Sequence, residues 1–344
     1  MQETKLHAAL SAGAGGPTWM PTFTFWFMAS LLAIAHAAAA EPEGANYPVR
    51  PVRIIVPFSP GSTAEVVSRA IGQRITENWG QPVIVESRTG AGGSIAAEFV
   101  ARSAPDGYTL LMGGGSTLGL NALLYKKLGY DPVRDFTAVV NVVRSPSAVL
   151  VHPSLPVRSL QELIALARAR PSDLAYSTSG NATPGHVATE MLCLMAGIKA
   201  VHIPYRGASE AINDLRAGQV QFTINSLFSS MPYVRAGAVR SVATTGSVRS
   251  SVLPEVPTVA ESGFNTYEFY TWFGYVAPAG TPGGVVKRLN QEVNRVLQIE
   301  DMRQRLANQG AEVTGGAPES FAAFIRAELE RYRPVVAKLN LRID

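Results

Sequence analysis

Val52-Arg53-Ile54-Ile55-Val56-Pro57-Phe58, followed by Ser59-Pro60-Gly61-Ser62-Thr63 and then by Ala64 to Asn78, is the passage that decides the fold. The first seven residues are a short run rich in β-branched and apolar side chains, the composition of a strand buried on both faces of a sheet. The next five place Pro beside Gly and end in Ser-Thr, the chemistry of a tight turn. From Ala64 onward apolar residues recur at helical spacing. Strand, small polar turn and helix make half of a β-α-β unit.

The same scheme recurs along the chain. Pro82 to Glu86 reads as a strand, Ser87 to Gly92 as a turn and Gly93 to Ser103 as a helix. Tyr108 to Met112 is a third strand, ending in Gly113-Gly114-Gly115-Ser116. Ala148 to His152 is a further strand, and a helix follows near Ser159 to Arg168. In the second half, Leu174 to Ser177 leads through Thr178-Ser179-Gly180-Asn181 into a helix, with Thr183 as N-cap and Pro184 at its first position. Val201 to Pro204 leads through Tyr205-Arg206-Gly207-Ala208 into Ser209 to Ala217, and Val220 to Ile224 ends at Asn225-Ser226. Two C-terminal helices show apolar spacing, at Val286, Leu289, Val293 and Val296 and at Phe321, Phe324, Ile325 and Leu329.

Such alternation predicts parallel sheets with helices on both faces. A chain of 344 residues is too long for one ordinary core, so two α/β lobes are expected. No Pro/Gly linker separates the halves, which points to lobes joined by crossing strands. Ligands in sheets of this kind bind beyond the carboxyl ends of the strands, where all the small polar turns fall.

Composition narrows the function. A hydrophobic share of 47% and a charged share of 16% belong to a packed globular protein. The net charge is only +4, spread without a basic run, which excludes nucleic acid as a partner and leaves a mild field that favours an anion. Phe23 to Ala35 is apolar but short and early for a membrane span. It runs into His36-Ala37-Ala38-Ala39-Ala40 and then Glu41-Pro42-Glu43, the pattern of a secretory signal with an Ala-x-Ala cleavage site. Residues 1–40 are therefore expected to be removed and the mature chain to start near Glu41 in the periplasm. Lys5 is the only Lys or Arg ahead of the apolar core, so a retained anchor is the alternative. The single Cys, Cys193, rules out an intramolecular disulfide and reads as helix core. A soluble monomer is expected.

Catalytic readings find little support. No Gly-x-Ser-x-Gly elbow occurs, and His152, His186 and His202 have no triad partner legible in sequence. Thr89-Gly90-Ala91-Gly92-Gly93-Ser94 matches neither the dinucleotide fingerprint nor the P-loop, because Ile95 stands at the third Gly position and no Lys follows. It is a tight turn or a general anion nest. Three His and one Cys at unrelated spacings give no metal ligand set. Neither a metal nor a cofactor is expected.

Val56-Pro57-Phe58-Ser59-Pro60-Gly61, Thr89-Gly90-Ala91-Gly92-Gly93 and Asp106-Gly107-Tyr108-Thr109-Leu110-Leu111 resemble successive signatures of the Bug family, periplasmic receptors of tripartite tricarboxylate transporters. Tyr130-Asp131-Pro132, Pro204-Tyr205-Arg206-Gly207, Leu253-Pro254-Glu255-Val256-Pro257-Thr258, Trp272-Phe273-Gly274 and Ala277-Pro278-Ala279-Gly280-Thr281-Pro282 extend the likeness in order from about Tyr47 to the C-terminus. The resemblance implies a periplasmic-binding-protein fold (a Venus flytrap, type II-like): two α/β lobes joined by two crossing strands. Lobe 1 would take residues 47–145 plus 272–344, and lobe 2 residues 146–271. It implies a non-enzymatic receptor that captures a small carboxylate solute between the lobes and delivers it to membrane permease subunits.

Carried onto this sequence, the ligand contacts implied are Phe58, Ser59, Ser62, Thr63, Ser116 and Thr117 in the first lobe, and Ser179, Asn181, Thr183, His186 and Asn225 in the second. Gly61 and Gly180 join them as the turn glycines that would let a carboxylate approach the main chain. Two departures stand out. Gly61-Ser62 and Glu65 replace the usual Gly-Gly and Asp, and Asn225-Ser226 replaces an Asp that could bind an ammonium group. Asn removes that charge and so disfavours a cationic amino group. A ligand sensor for a two-component signalling kinase would share this fold, and a periplasmic hydrolase would need a nucleophile–base pair in the cleft.

Overall fold

The computed structural model describes residues 46–339, so the expected leader and its cleavage site lie outside the described residues. β1 (Val52–Val56) is almost wholly buried and pairs in parallel with β2 (Val83–Ser87) and β3 (Thr109–Gly114). Between them run α1 (Thr63–Trp79) and α2 (Ser94–Ala101). Ser62 caps α1 by accepting the Glu65 N–H, and Gly80 ends it in the left-handed conformation. After β3 a wide helical turn over Ser116–Leu120 continues into α3 (Asn121–Leu124).

β4 (Phe136–Val151) is a single strand of 16 residues that serves two sheets. The chain then builds a second lobe from α4 (Leu160–Ala169), β5 (Ala175–Thr178), α5 (Pro184–Ala196), β6 (Val201–Pro204), α6 (Ala208–Arg216), β7 (Phe222–Ser226), α7 (Leu227–Arg235) and β8 (Arg240–Thr244). β9 (Tyr270–Pro278) returns to the first lobe, which α8 (Gly283–Leu297), α9 (Glu300–Ala307), β10 (Glu312–Val313) and α10 (Pro318–Leu339) complete. The strands read from sequence agree in their limits to within a residue or two, except that β4 begins well before Ala148; β8, β9 and β10 were not read as strands.

Both sheets are mixed rather than parallel. β5 pairs in parallel with β6 and β7, as β1 does with its neighbours. β9, however, runs antiparallel between β3 and β4. β4 pairs with β9 through Pro146, then from Ser147 onward lies antiparallel to β7 and β8. The cause is topological. A strand that leaves one lobe and a strand that comes back cross the same gap in opposite directions, so the two must be antiparallel.

Packing fixes these crossings. Trp272 of β9 is 1% exposed, and its indole N–H donates to Glu328 of α10 at 2.9 Å. Glu328 is itself buried and receives Arg331 at 3.1 Å, so neither polar group is left unpaired. At Gly274 a Cβ would come within 2.4 Å of the Phe321 ring and 2.5 Å of the Val140 carbonyl, so only glycine fits. α10 belongs to both cores: Phe321 and Ile325 pack against Trp272 and Ile55, whereas Tyr332 and Val336 pack with Tyr267 and Phe269 of the second lobe.

The second-lobe core contains an aromatic stack. The His186 and His202 rings lie 4.0 Å apart at 12°, and Tyr176 covers the other face of His202 at 4.9 Å and 18°. Tyr176 OH donates to Glu190, and His202 Nε2 meets Thr178 Oγ1 at 2.7 Å. Burial pushes the His186 pKa down to about 4 and, with its neighbour's charge, that of His202 down to about 3. The unfolded chain takes up protons at these residues near the ordinary value of 6.5, well before the folded chain does. Stability therefore falls as pH drops from about 6.5 towards those folded values. The melting temperature should decline steadily over that window, and His186→Phe, which keeps a stacked ring but cannot titrate, should flatten the decline.

Candidate ligand-binding site

The site grows out of the turn after β1. Gly61 adopts φ 82°, where a side chain is strained, and this bends the chain back so that Ser62 can cap α1. The Gly61 N–H points to Glu65 Oε2 at 3.4 Å, and Glu65 is also paired with Arg69. Ser62 Oγ accepts from the Glu65 N–H, so its own proton remains free to donate. Across the gap, Gly180 (φ 129°) and Ala182 (φ 59°) shape the turn that opens α5. Thr183 sits at the N-cap position, but its hydroxyl donates to the Gly180 carbonyl at 2.7 Å instead of capping the helix. Thr178 Oγ1 accepts the Gly180 N–H at 3.2 Å, so the half-buried His202 ring, through Thr178, helps hold this turn.

Two compartments lie between these turns and share Phe58 and Ser179. The inner one, about 50 Å³, is lined by Ser62 and Thr63 at the start of α1, Pro184 and Gly185 at the start of α5, Ala208 at the start of α6, and Asn225, Ser226 and Ser229 at the start of α7. Thr271 and Phe273 of β9 close its floor. Four helix N-termini thus converge on one small space, and none of its lining side chains is ionisable. The positive end of each macrodipole, with the first N–H groups that a helix cannot pair within itself, favours negative charge there. The outer compartment, about 450 Å³, lies between the Gly-rich turn Thr89–Gly93 with Tyr125 and the opposing Gly180, Asn181, Tyr205 and Arg206. Asn121 pins that Gly-rich turn, its amide donating to Gly92 O at 3.2 Å and to Ser94 Oγ at 2.9 Å.

The lobes meet directly around the site. Thr63 Oγ1 donates to Ser226 Oγ at 3.3 Å, and Ser209 Oγ donates to Pro60 O at 3.4 Å. Ser59 presses on Gly207, where a Cβ would come within 1.9 Å of Ser59 Oγ and 2.9 Å of its Cβ. Gly92 similarly approaches the Asn181 carbonyl, which a Cβ would reach at 3.0 Å. This is a closed arrangement.

Of the residues expected from sequence, Phe58, Ser62, Thr63, Ser179 and Asn225 line the inner compartment, and Phe58, Ser179, Gly180 and Asn181 the outer. Ser59 and Gly61 stand at the lobe contact. Four others line neither compartment, Thr183 among them, its hydroxyl bonded to the Gly180 carbonyl. Ser116 and Thr117 are fully buried, with Thr117 Oγ1 bonded to the Gly114 N–H at 3.0 Å. His186 is turned into the ring stack. Sequence reasoning missed Gly185, Ala208, Ser229, Thr271 and Phe273 as lining residues. The first two are small residues at helix starts, a legible signal. The β9 pair is brought in only by the antiparallel crossing. Among the described residues no group of three or more His, Cys, Asp or Glu could hold a metal ion.

The tripartite tricarboxylate transporter family receptor pattern (TctC) matches residues 67–341. Protein BugT of Bordetella pertussis is 35% identical over 312 residues, covering 90% of this chain and 96% of BugT. A UPF0065 protein from the tcbD-tcbE intergenic region of Pseudomonas sp. strain P51 is 36% identical over 299 residues, 87% of this chain and 89% of its own. Among solved structures, R. palustris Rpa4515 with adipate is similar at TM-score 0.84 and 37% identity, covering 86% of this chain and 99% of that one. MatC (Rpa3494) of Rhodopseudomonas palustris with bound malate gives TM-score 0.81 and 33% identity over 84% of this chain and all of that one. The periplasmic binding protein BugD has the same two-lobed form at TM-score 0.83 and 30% identity, over 86% of this chain and 99% of BugD. With the family pattern spanning most of its length and the turns after β1 and β5 meeting across one cleft, this chain belongs to the tripartite tricarboxylate transporter receptor family, as the Bug-like motifs implied.

Proposed function

We propose that this chain is a periplasmic receptor that captures a small carboxylate between its lobes and hands it to the membrane permease subunits of a tripartite tricarboxylate-type transporter. The convergence of four helix N-termini on the inner compartment carries this reading. In it, backbone N–H groups and the hydroxyls of Ser62 and Thr63 hold the carboxylate, with Phe58, Ser179 and Asn225 around it. Ser116, Thr117 and His186 act from behind, by fixing the chain that presents these groups. The adipate and malate in the similar receptors fit the same chemistry. Residues 1–40 act as the export signal, and lobe 1 comprises residues 47–145 plus 272–344 around the inserted lobe 2, 146–271, with α10 strapped across both. The protein works as a monomer and catalyses nothing. In support, the Ser hydroxyl that bonds a His among the described residues, Ser154 to His152 at 2.6 Å, lies outside both compartments.

A thermal-shift screen of small carboxylates tests the function, because a ligand that binds only the native state raises its melting temperature. Several should do so, while amines and neutral sugars of equal size should not. Gly180→Val places a branched Cβ at φ 129°, 3.3 Å from the Tyr205 carbonyl, and should weaken a confirmed ligand at least tenfold. Exposed Arg206→Ala should change affinity less than threefold. The reverse ranking, by calorimetry on folded variants, would mean that a side-chain ion pair holds the solute.

Closure has its own test. Gly207 has an extended backbone, φ −174°, that any residue adopts, so Gly207→Ala should fold normally. Its methyl group collides with Ser59 only when the lobes shut. The variant should keep the wild-type melting temperature without ligand, lose at least tenfold in affinity, and show no contraction on ligand addition by solution scattering.

A further inference from the structure

We infer that Asn225 is a specificity-determining residue, and that the ligand carries an oxygen on the carbon next to the carboxylate held in the inner compartment: a 2-oxo or 2-hydroxy acid, not a 2-amino acid. This rests on the receptor reading above and names the solute class that the site selects.

Asn225 is the last residue but one of β7 and lines the inner compartment. Its backbone is fixed by antiparallel pairing with Ala148 of β4, one residue from the crossing between lobes. Its Nδ2 is buried and has no hydrogen-bond partner. An amide donor left in that state loses its hydration without compensation, and calls for a partner that arrives with the ligand. The hydroxyls beside it already have partners within the protein. Ser226 Oγ accepts from Thr63, Ser229 Oγ donates to the Ser226 carbonyl at 3.2 Å, and Thr271 Oγ1 meets Ser147 Oγ at 3.4 Å. Asn225 Nδ2 is the buried amide donor on this wall that has no partner.

The same wall rejects an ammonium group. Neither compartment is lined by a carboxylate. Glu65 is turned away to Arg69 and the Gly61 N–H, and Glu210 accepts from the Arg206 N–H at 3.0 Å. The helix N-termini that favour the ligand's carboxylate repel a cation placed beside it. An amide can turn its N–H₂ to a keto or hydroxyl oxygen; its own oxygen is a weak substitute for the anion an ammonium requires.

Calorimetry on the mature chain with two matched series decides: succinate, malate and aspartate, and adipate, 2-oxoadipate and 2-aminoadipate. In the skeleton that binds, the oxygenated acid should bind about tenfold more tightly than the unsubstituted one, and the amino acid at least a hundredfold more weakly than the oxygenated one. Asn225→Ala should abolish the first difference. Asn225→Asp should weaken the oxygenated acid and bring the amino acid closer to it, with circular dichroism confirming that both variants fold. Equal binding of the unsubstituted and oxygenated acids by the wild type, or an unchanged preference in Asn225→Ala, overturns the role of Asn225 and leaves the receptor function standing. If none of the six acids binds, the carboxylate reading falls and this inference with it.

Discussion

In the proposed receptor, a carboxylate entering the inner compartment would find no cation there; it would meet the blunt ends of four helices. Each helix end contributes about 0.3–1 kcal/mol at an exposed site and up to about 2 kcal/mol when partly buried. A micromolar ligand needs about 8 kcal/mol, so the helix ends reach that scale only together, and only when dry. Three of the four belong to the second lobe and one, α1, to the first. With the lobes apart, neither half has enough donors or enough shelter. Binding energy and closure are therefore one quantity, and a solute favours the shut form by its differential contacts with it.

That coupling sets the demands on the rest of the molecule. The lobes must approach to van der Waals distance, so Gly207 faces Ser59 and Gly92 faces Asn181. They must also swing without losing register, and a continuous β4 laid against β9 provides that. Trp272, Glu328 and Arg331 lock β9 to α10 just behind the compartment floor. The Tyr176–His202–His186 stack fixes the opposite turn through Thr178. Neither group touches the space where a ligand would lie. Both hold the backbone that does.

How much of this the sequence discloses depends on the range of the interaction. The turn after β1 and the Thr183-Pro184 helix start are local chemistry, and both were legible with their small polar residues. Asn225 was legible as a strand-end residue. Thr271 and Phe273 were not, because nothing local to Tyr270–Pro278 shows which strands it will lie between. The expectation of parallel sheets failed for the same reason: periodicity reports burial, not direction. His186 was expected as a ligand contact because an imidazole at a helix start can reach a ligand; here it stacks on His202, 16 residues away on another element. The resemblance to known receptors also names Ser116 and Thr117, which here are fully buried and line neither compartment.

The order in which the strands are made differs from the order in which they are needed. The strands of the second lobe all come from one uninterrupted stretch of chain, Ser147 to Thr244. The first sheet is different: β9, its strand between β3 and β4, ends at Pro278 of a 344-residue chain. Until about four-fifths of the polypeptide has emerged, β1, β2 and β3 have an open edge and an incomplete core. Pairing of this sequence separation is slow to form, because the loop must close before its contacts reward it. A chain built this way cannot complete its first sheet until most of its synthesis is done.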